Sequence, residues 1–234
     1  MFINYAHRGA SSYAPENTMS AFDLGVRMGA NGIETDVRMT KDGVPVLFHD
    51  NTLARMTGCE GACSDYMYAE LLCMPIRHPE NGSTDVIVRF EDFLKKFGRS
   101  ELMLAIELKD DGIEEEVLGL LDAYATRERT VITSFHMEYL ERVRELSPSY
   151  RIGWLAKDFD GEMLERMKSC NGEQLCPKAE NITAEKVDAW HKLGYSVRAW
   201  GVTTPELMRY AYDCGVDGMT VNFPDLLSEY INKQ

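Results

Sequence analysis

Four short clusters hold the side chains that could do chemistry: His7-Arg8-Gly9, Glu34-x-Asp36, His49-Asp50 and Glu107-x-Lys109. Two carboxylates two residues apart on a strand share one face. With a third carboxylate from another strand they suit a hard, oxygen-bound cation, Mg2+ or Ca2+ with Mn2+ also possible, better than Zn2+. Arg8 offers paired donors to a phosphate or a carboxylate. Histidines 7 and 49, each at the end of a strand and among three carboxylates, point to proton transfer. The other three, His78, His136 and His191, sit in bland contexts, and the last two, which fall at or in helices, are read as surface residues.

Asp42-Gly43 between two apolar runs is a hairpin signal, because both residues tolerate positive φ. A two-residue loop there pairs Lys41 with Val44 and, continuing outward, Asp36 with His49. Glu34 then lies on the same face, so the spacing alone draws two carboxylates and an imidazole together.

The elements that must position these clusters alternate. Strand-like runs fall at 2–6, 32–37, 44–48, 102–108, 130–133, 151–155, 174–176, 196–200 and 218–221. Amphipathic stretches fall at 18–28, 90–97, 113–125, 137–146, 161–167, 184–193, 205–214 and 226–232. Repeated strand-then-helix order argues for a parallel sheet. With the hairpin return at 44–48 set aside, eight strands and eight helices remain, which predicts an α/β fold of the (β/α)8 TIM barrel type over a single domain, residues 1–234. In such a barrel, polar residues at strand C-terminal ends read as catalytic. The aromatics Phe135 and Trp200 also mark strand ends, where they either line a pocket or join the core. Asn17 or Thr18 is the natural cap of the first helix. Residues 51–85 break the rhythm, with Gly58, Gly61, Pro75, Pro79, Gly82 and three cysteines. They are too long for an ordinary loop and read as an inserted cap subdomain after the second-strand hairpin. Its Met56, Tyr66, Met67, Tyr68, Leu71 and Leu72 form either an apolar groove at the mouth or the insertion's own small core.

Composition narrows the classes. With 44% hydrophobic and 27% charged residues the chain has enough apolar surface to fold. Lys and Arg total 25 against 38 Asp and Glu, a formal charge of −13, which disfavours nucleic acid and anionic membranes as partners and favours a small molecule. No apolar run is long enough for a membrane anchor and the first residues lack a leader pattern, so a cytoplasmic location is expected. The six cysteines show no CxxC pair and read as reduced thiols.

Taken in order, His7-Arg8-Gly9, Pro15-Glu16-Asn17-Thr18, Ile33-Glu34-x-Asp36-Val37, Thr40-Lys41-Asp42-Gly43, His49-Asp50, Leu53-x-Arg55-x-Thr57, Glu107-x-Lys109, Ser134-Phe135, Trp200 and Asp217-Gly218 resemble the glycerophosphodiester phosphodiesterase family over nearly the whole chain. The resemblance implies a barrel with a small inserted cap. It also implies metal-dependent hydrolysis of a glycerophosphodiester to sn-glycerol 3-phosphate and an alcohol. Glu34, Asp36 and Glu107 would bind the divalent cation, His7 and His49 would be the catalytic acid/base pair, and Arg8 and Lys109 would hold the phosphate, with Trp200 and Phe135 lining the substrate site. A lysophospholipase D-type enzyme and a non-catalytic phosphoglycerol-binding protein are the alternatives. The sequence departs from the family's habit at Ile87-Val88-Arg89-Phe90, at Gly201-Val202-Thr203 and at Asn222, where an acidic residue is common. These departures are expected to lie away from the metal and histidine set and to bear on substrate preference.

Overall fold

In the computed structural model every residue is described except Ala125 and Gln234. The amphipathic periods form helices that lay their apolar faces on a sheet. Phe90, Phe93, Leu94 and Phe97 recur at helical spacing and are all buried, and Phe22 packs against Phe93 with ring centroids 4.9 Å apart. In chain order the elements are β1 (Ile3–His7), α1 (Met19–Arg27), β2 (Gly32–Met39) and β3 (Pro45–Leu47). Next come α2 (Ala54–Thr57), a 3-10 turn (Cys63–Asp65), α3 (Tyr68–Leu71), β4 (Ile76–Arg77) and β5 (Thr84–Asp85). The remainder is α4 (Phe90–Phe97), β6 (Met103–Leu108), α5 (Glu114–Ala123), β7 (Thr130–Ser134), α6 (Met137–Leu146), β8 (Arg151–Ala156), α7 (Gly161–Ser169), β9 (Gln174–Pro177), α8 (Ala184–Lys192), β10 (Ser196–Val202), α9 (Pro205–Asp213), β11 (Gly218–Val221) and α10 (Pro224–Ile231). The sequence expectation that α5 runs on to residue 125 ends on a residue outside those described.

Eight of the strands are parallel and close on themselves. β2, β6, β7, β8, β9, β10 and β11 pair in succession and β1 pairs with both β11 and β2. This is the (β/α)8 barrel. Every carboxyl end of a barrel strand faces one mouth, and all four polar clusters sit there.

The expected pairing of Asp36 with His49 is overturned. Met39 pairs with Pro45, Arg38 with Val46 and Val37 with Leu47. The loop has three residues rather than two: Thr40 and Val44 close it through a 3.1 Å main-chain hydrogen bond, and Gly43 takes φ +74°. The register moves by one, and the main-chain oxygen of Asp36 instead accepts from the amide of Phe48. His49 lies beyond β3, free of the strand's alternation, and still turns into the mouth.

Residues 51–85 contain the short elements α2, α3, β4 and β5, which no long period announced. Leu53, Met56, Cys63, Leu71, Ile76 and Ile87 form a small core with Val46 and Phe48, and Tyr66 and Tyr68 pack against it. Met67 and Leu72 are exposed. His78, bland in its sequence context, is buried: its Nε2 lies 3.2 Å from the Ser11 carbonyl and its Nδ1 accepts from the amides of Glu80 and Asn81. The imidazole staples the insertion to the β1–α1 loop.

Candidate active site

The first loop is bent tightly to aim its side chains. Gly9 has φ +85°, and a Cβ on it would lie 2.4 Å from the carbonyl carbon of Ala21. Arg8 and Asn17 both take φ +57°, a left-handed conformation that non-glycine residues hold only when their surroundings enforce it. Thr18, not Asn17, caps α1, its hydroxyl accepting from the Ala21 amide. Asn17 instead donates from Nδ2 to Asp36 Oδ2 at 2.9 Å and accepts from Thr35 Oγ1 at 2.7 Å.

Glu34 and Asp36 on β2 and Glu107 on β6 converge inside the mouth. One oxygen from each lies within 4.8 Å of the other two, and the residues are 3%, 0% and 7% exposed. Burial, with Asp36 and Glu107 close by, pushes the Glu34 carboxyl up to about 8. Glu107 is raised by burial and by Asp36. Burial works against the charge of Asp36 too, but Lys109 and Arg8 hold its carboxyl below the usual range. Asp36 Oδ1 makes no hydrogen bond, although Lys109 Nζ lies 3.2 Å away. Three crowded carboxylates with an orphaned oxygen are short of positive charge, and an all-oxygen donor set of this kind fits a divalent cation.

Two fixed cations border the cluster. Arg8 places Nε 3.1 Å from Asp36 Oδ2, and Lys109 places Nζ 2.6 Å from Glu107 Oε1. The imidazoles stand at its edges. His7 Nε2 lies 3.8 Å from Glu34 Oε2, while its Nδ1 donates to Asn222 Oδ1 at 2.6 Å. Burial, then Arg8, pushes His7 down to about 3, so the ring is neutral with its lone pair on Nε2. His49 Nδ1 donates to Asp50 Oδ1 at 2.7 Å, and burial lowers this imidazole as well. Arg38 holds the His49 main chain, its Nη2 donating to the carbonyl at 2.8 Å.

His7, Arg8, Glu34, His49, Glu107, Phe135 and Trp200 line one cavity of about 210 Å³; Asp36 is buried and does not line it, and Lys109 lines a second cavity of about 400 Å³ that shares His49, Glu107 and Phe135. Phe135 and Trp200 meet edge to face with centroids 5.0 Å apart, and the Trp200 indole is anchored by a 3.0 Å bond to the Ala156 carbonyl. Both aromatics line the pocket rather than the core; Phe135 is 42% exposed.

Sequence reasoning missed several participants. Asn222 was expected to lie away from the histidines, and it holds His7 directly. Arg55 and Glu16 join Asp50 and Arg8 in one ion-paired chain. Arg198, 1% exposed, lies inside the barrel with Nε 3.2 Å from Gln174 Oε1 and its guanidinium over the Tyr5 ring. The only signal for Arg198 was a charge at an inward strand position, two residues before Trp200.

A (β/α)8 barrel whose mouth gathers three buried carboxylates, two fixed positive charges and two imidazoles has the chemical groups that hydrolysis of a phosphoric diester calls for. The chain belongs to the glycerophosphoryl diester phosphodiesterase family, whose pattern it matches over residues 7–226. It is 32% identical to a glycerophosphodiester phosphodiesterase of Caldanaerobacter subterraneus, over 97% of each chain. It is 32% identical to one of Bacillus altitudinis, over 94% of each. Among solved structures, that of an Oleispira antarctica phosphodiesterase in complex with the product sn-glycerol-3-phosphate superposes with a TM-score of 0.85 at 25% identity, covering 97% of this chain and 96% of that one. No helix among the described residues is long and apolar enough to cross a membrane.

Proposed function

We propose that this chain hydrolyses glycerophosphodiesters to sn-glycerol 3-phosphate and an alcohol, with a divalent cation held by Glu34, Asp36 and Glu107. The observation that carries the proposal is the convergence of those three carboxylates, flanked by Arg8 and Lys109, between two imidazoles. The Oleispira relative's product complex supports the choice of product. The cation, Mg2+ or Ca2+ with Mn2+ as a further candidate, supplies Lewis-acid stabilisation of the charge that builds on the phosphoryl oxygens. Arg8 and Lys109 bind and orient the phosphate from opposite sides of Asp36. His7, neutral and with Nε2 free, takes the proton of the attacking oxygen, either water or the neighbouring glycerol hydroxyl, whose cyclic ester a water then opens to glycerol 3-phosphate. His49, whose Nδ1–H is fixed on a carboxylate that stabilises its charged form, gives the proton from Nε2 to the departing alcohol oxygen. Phe135 and Trp200 pack against the glycerol carbons.

Charge supports a diester in particular. Glu16, Glu34, Asp36, Asp50 and Glu107 face Arg8, Arg55, Lys109 and Arg198. A divalent cation leaves one positive charge in excess, which a diester monoanion neutralises. We read residues 1–234 as one domain and 51–85 as a cap on its mouth. In support, Met56, His78, Pro79 and Glu80 line a cavity of about 240 Å³ with His7 and Arg8. Four of the six apolar side chains that could have cradled a lipid tail are committed to the insertion's own packing, which favours a water-soluble diester over a lysophospholipid. The six unpaired cysteines favour a reducing, cytoplasmic setting.

The test is release of glycerol 3-phosphate from glycerophosphocholine, beside lysophosphatidylcholine, after EDTA and after each cation is restored. Expected are loss of turnover on chelation, recovery with at least one of the three cations, preference for glycerophosphocholine, and a fall of about 10²-fold or more in Glu34→Gln and Glu107→Gln. Turnover untouched by EDTA would overturn the proposal.

A further inference from the structure

Arg55 stands outside the cavity, on α2 of the insertion, yet all its strong hydrogen bonds serve the site. Its Nε donates to Asp50 Oδ2 at 2.5 Å and its Nη2 to Asp50 Oδ1 at 2.9 Å. The same guanidinium donates from Nη1 to Glu16 Oε2 at 3.0 Å and from Nη2 to Glu16 Oε1 at 2.7 Å. Each carboxylate in turn holds a residue that borders the carboxylate cluster. Asp50 Oδ1 accepts from His49 Nδ1, and Glu16 Oε1 accepts from Arg8 Nη1 at 3.1 Å. One planar fork therefore joins the imidazole on one flank to the guanidinium on the other, and it is the insertion's charged tie to both.

From this geometry we infer that Arg55 is a positioning residue for proton delivery. By holding both oxygens of Asp50 it fixes the carboxylate against His49 Nδ1, which keeps Nε2, the proton-bearing atom, turned to the leaving oxygen. Asp50 without Arg55 would be free to rotate and would face the like charge of Glu16. A lysine replaces it only in part, because an ammonium keeps the charge but has no fork to engage two carboxylates in one plane. The inference rests on the proposed role of His49 as proton donor, so its test separates the two.

The readout is dependence on the leaving group. Glycerophosphoglycerol loses an alkoxide that needs a proton, whereas the p-nitrophenyl ester of glycerol 3-phosphate loses a phenolate that does not. His49→Ala is expected to lose about 10²-fold or more in kcat on the first and under tenfold on the second. Arg55→Gln is expected to show the same selectivity, with kcat on glycerophosphoglycerol down about 10–100-fold and KM changed less than about threefold. Arg55→Lys, which retains the positive charge, is expected to keep the selectivity with a smaller loss, and it serves if the glutamine variant fails to fold. An equal loss on both esters in His49→Ala overturns the underlying reading. A selective His49→Ala beside an Arg55 variant that loses activity on both esters equally, changes KM alone, or keeps full activity overturns the inference.

Discussion

His7 and His49 are the same side chain in two settings. The first donates Nδ1–H to the neutral carbonyl oxygen of Asn222, deep in the mouth and beside Arg8; the second donates to the carboxylate of Asp50. The Asn222 bond favours an imidazolium less than a carboxylate bond does, and on that ground the proposed mechanism makes His7 the acceptor and His49 the donor. His7→Ala and His49→Ala should each lower kcat on glycerophosphocholine by about 10²–10⁴-fold, with the double variant falling far short of the product of the two losses. Kinetics at saturating cation check this, and single variants with near-wild-type kcat would reject the assignment. The residue types at these positions were legible because strand ends in a barrel seldom carry clustered charge without a use. Their partners were not. Asn222 is 215 residues from His7, Arg55 lies in a segment with no period, and Asn17 resembles a helix cap until its amide is seen on Asp36. Local spacing carries no information about such contacts.

At the scale of the element, β1, its loop and α1 behave as one unit. Gly9 lets the chain pass within contact of Ala21, and its neighbour Arg8 is thereby thrown back over Asp36. Gly9→Ala meets both a forbidden φ and a backbone clash, so a loss of about 2–3 kcal/mol, or roughly 5–10 °C in Tm, is expected with a fall in activity. Thermal unfolding followed by circular dichroism measures it; an unchanged Tm would show that the loop has room to relax. The strand-helix alternation was readable because each barrel repeat buries its own apolar period, and β11 and α6 fall on the residues their periods marked. The hairpin was readable in kind but not in register. Gly43 serves a three-residue loop, and the dipeptide signal alone does not distinguish that from a two-residue one. The insertion's two short helices, four residues each, are too brief to show a period at all.

For the molecule as a whole, the carboxylate cluster ties stability to pH and, through the proposed metal site, to a divalent cation. Glu34 is raised from 4.5 to about 8, so between those values the cation-free native state retains a proton that the unfolded chain has released. Stability therefore falls as pH rises through that window. Asp50 acts in the opposite sense lower down. Held to about 2 by its Arg55 and His49 hydrogen bonds against the opposing effect of burial, it contributes stability above 3.8 that disappears as pH falls. A cation bound, as proposed, by ionised Glu34 would remove the first effect. Tm in EDTA should drop between pH 5 and pH 8, and saturating Mg2+ should raise Tm by about 5 °C or more at pH 8 and by clearly less at pH 5. Calorimetry at the two pH values decides, and a cation gain equal at both would reject the coupling. The closed ring of strands has one more consequence. Cys176 faces inward beside Gly153 and Arg198 and is wholly sealed, while Cys73 stands in solvent. A thiol reagent therefore meets the second at once and the first only when the staves of the barrel part, which makes the pair a built-in clock for how often this enzyme breathes.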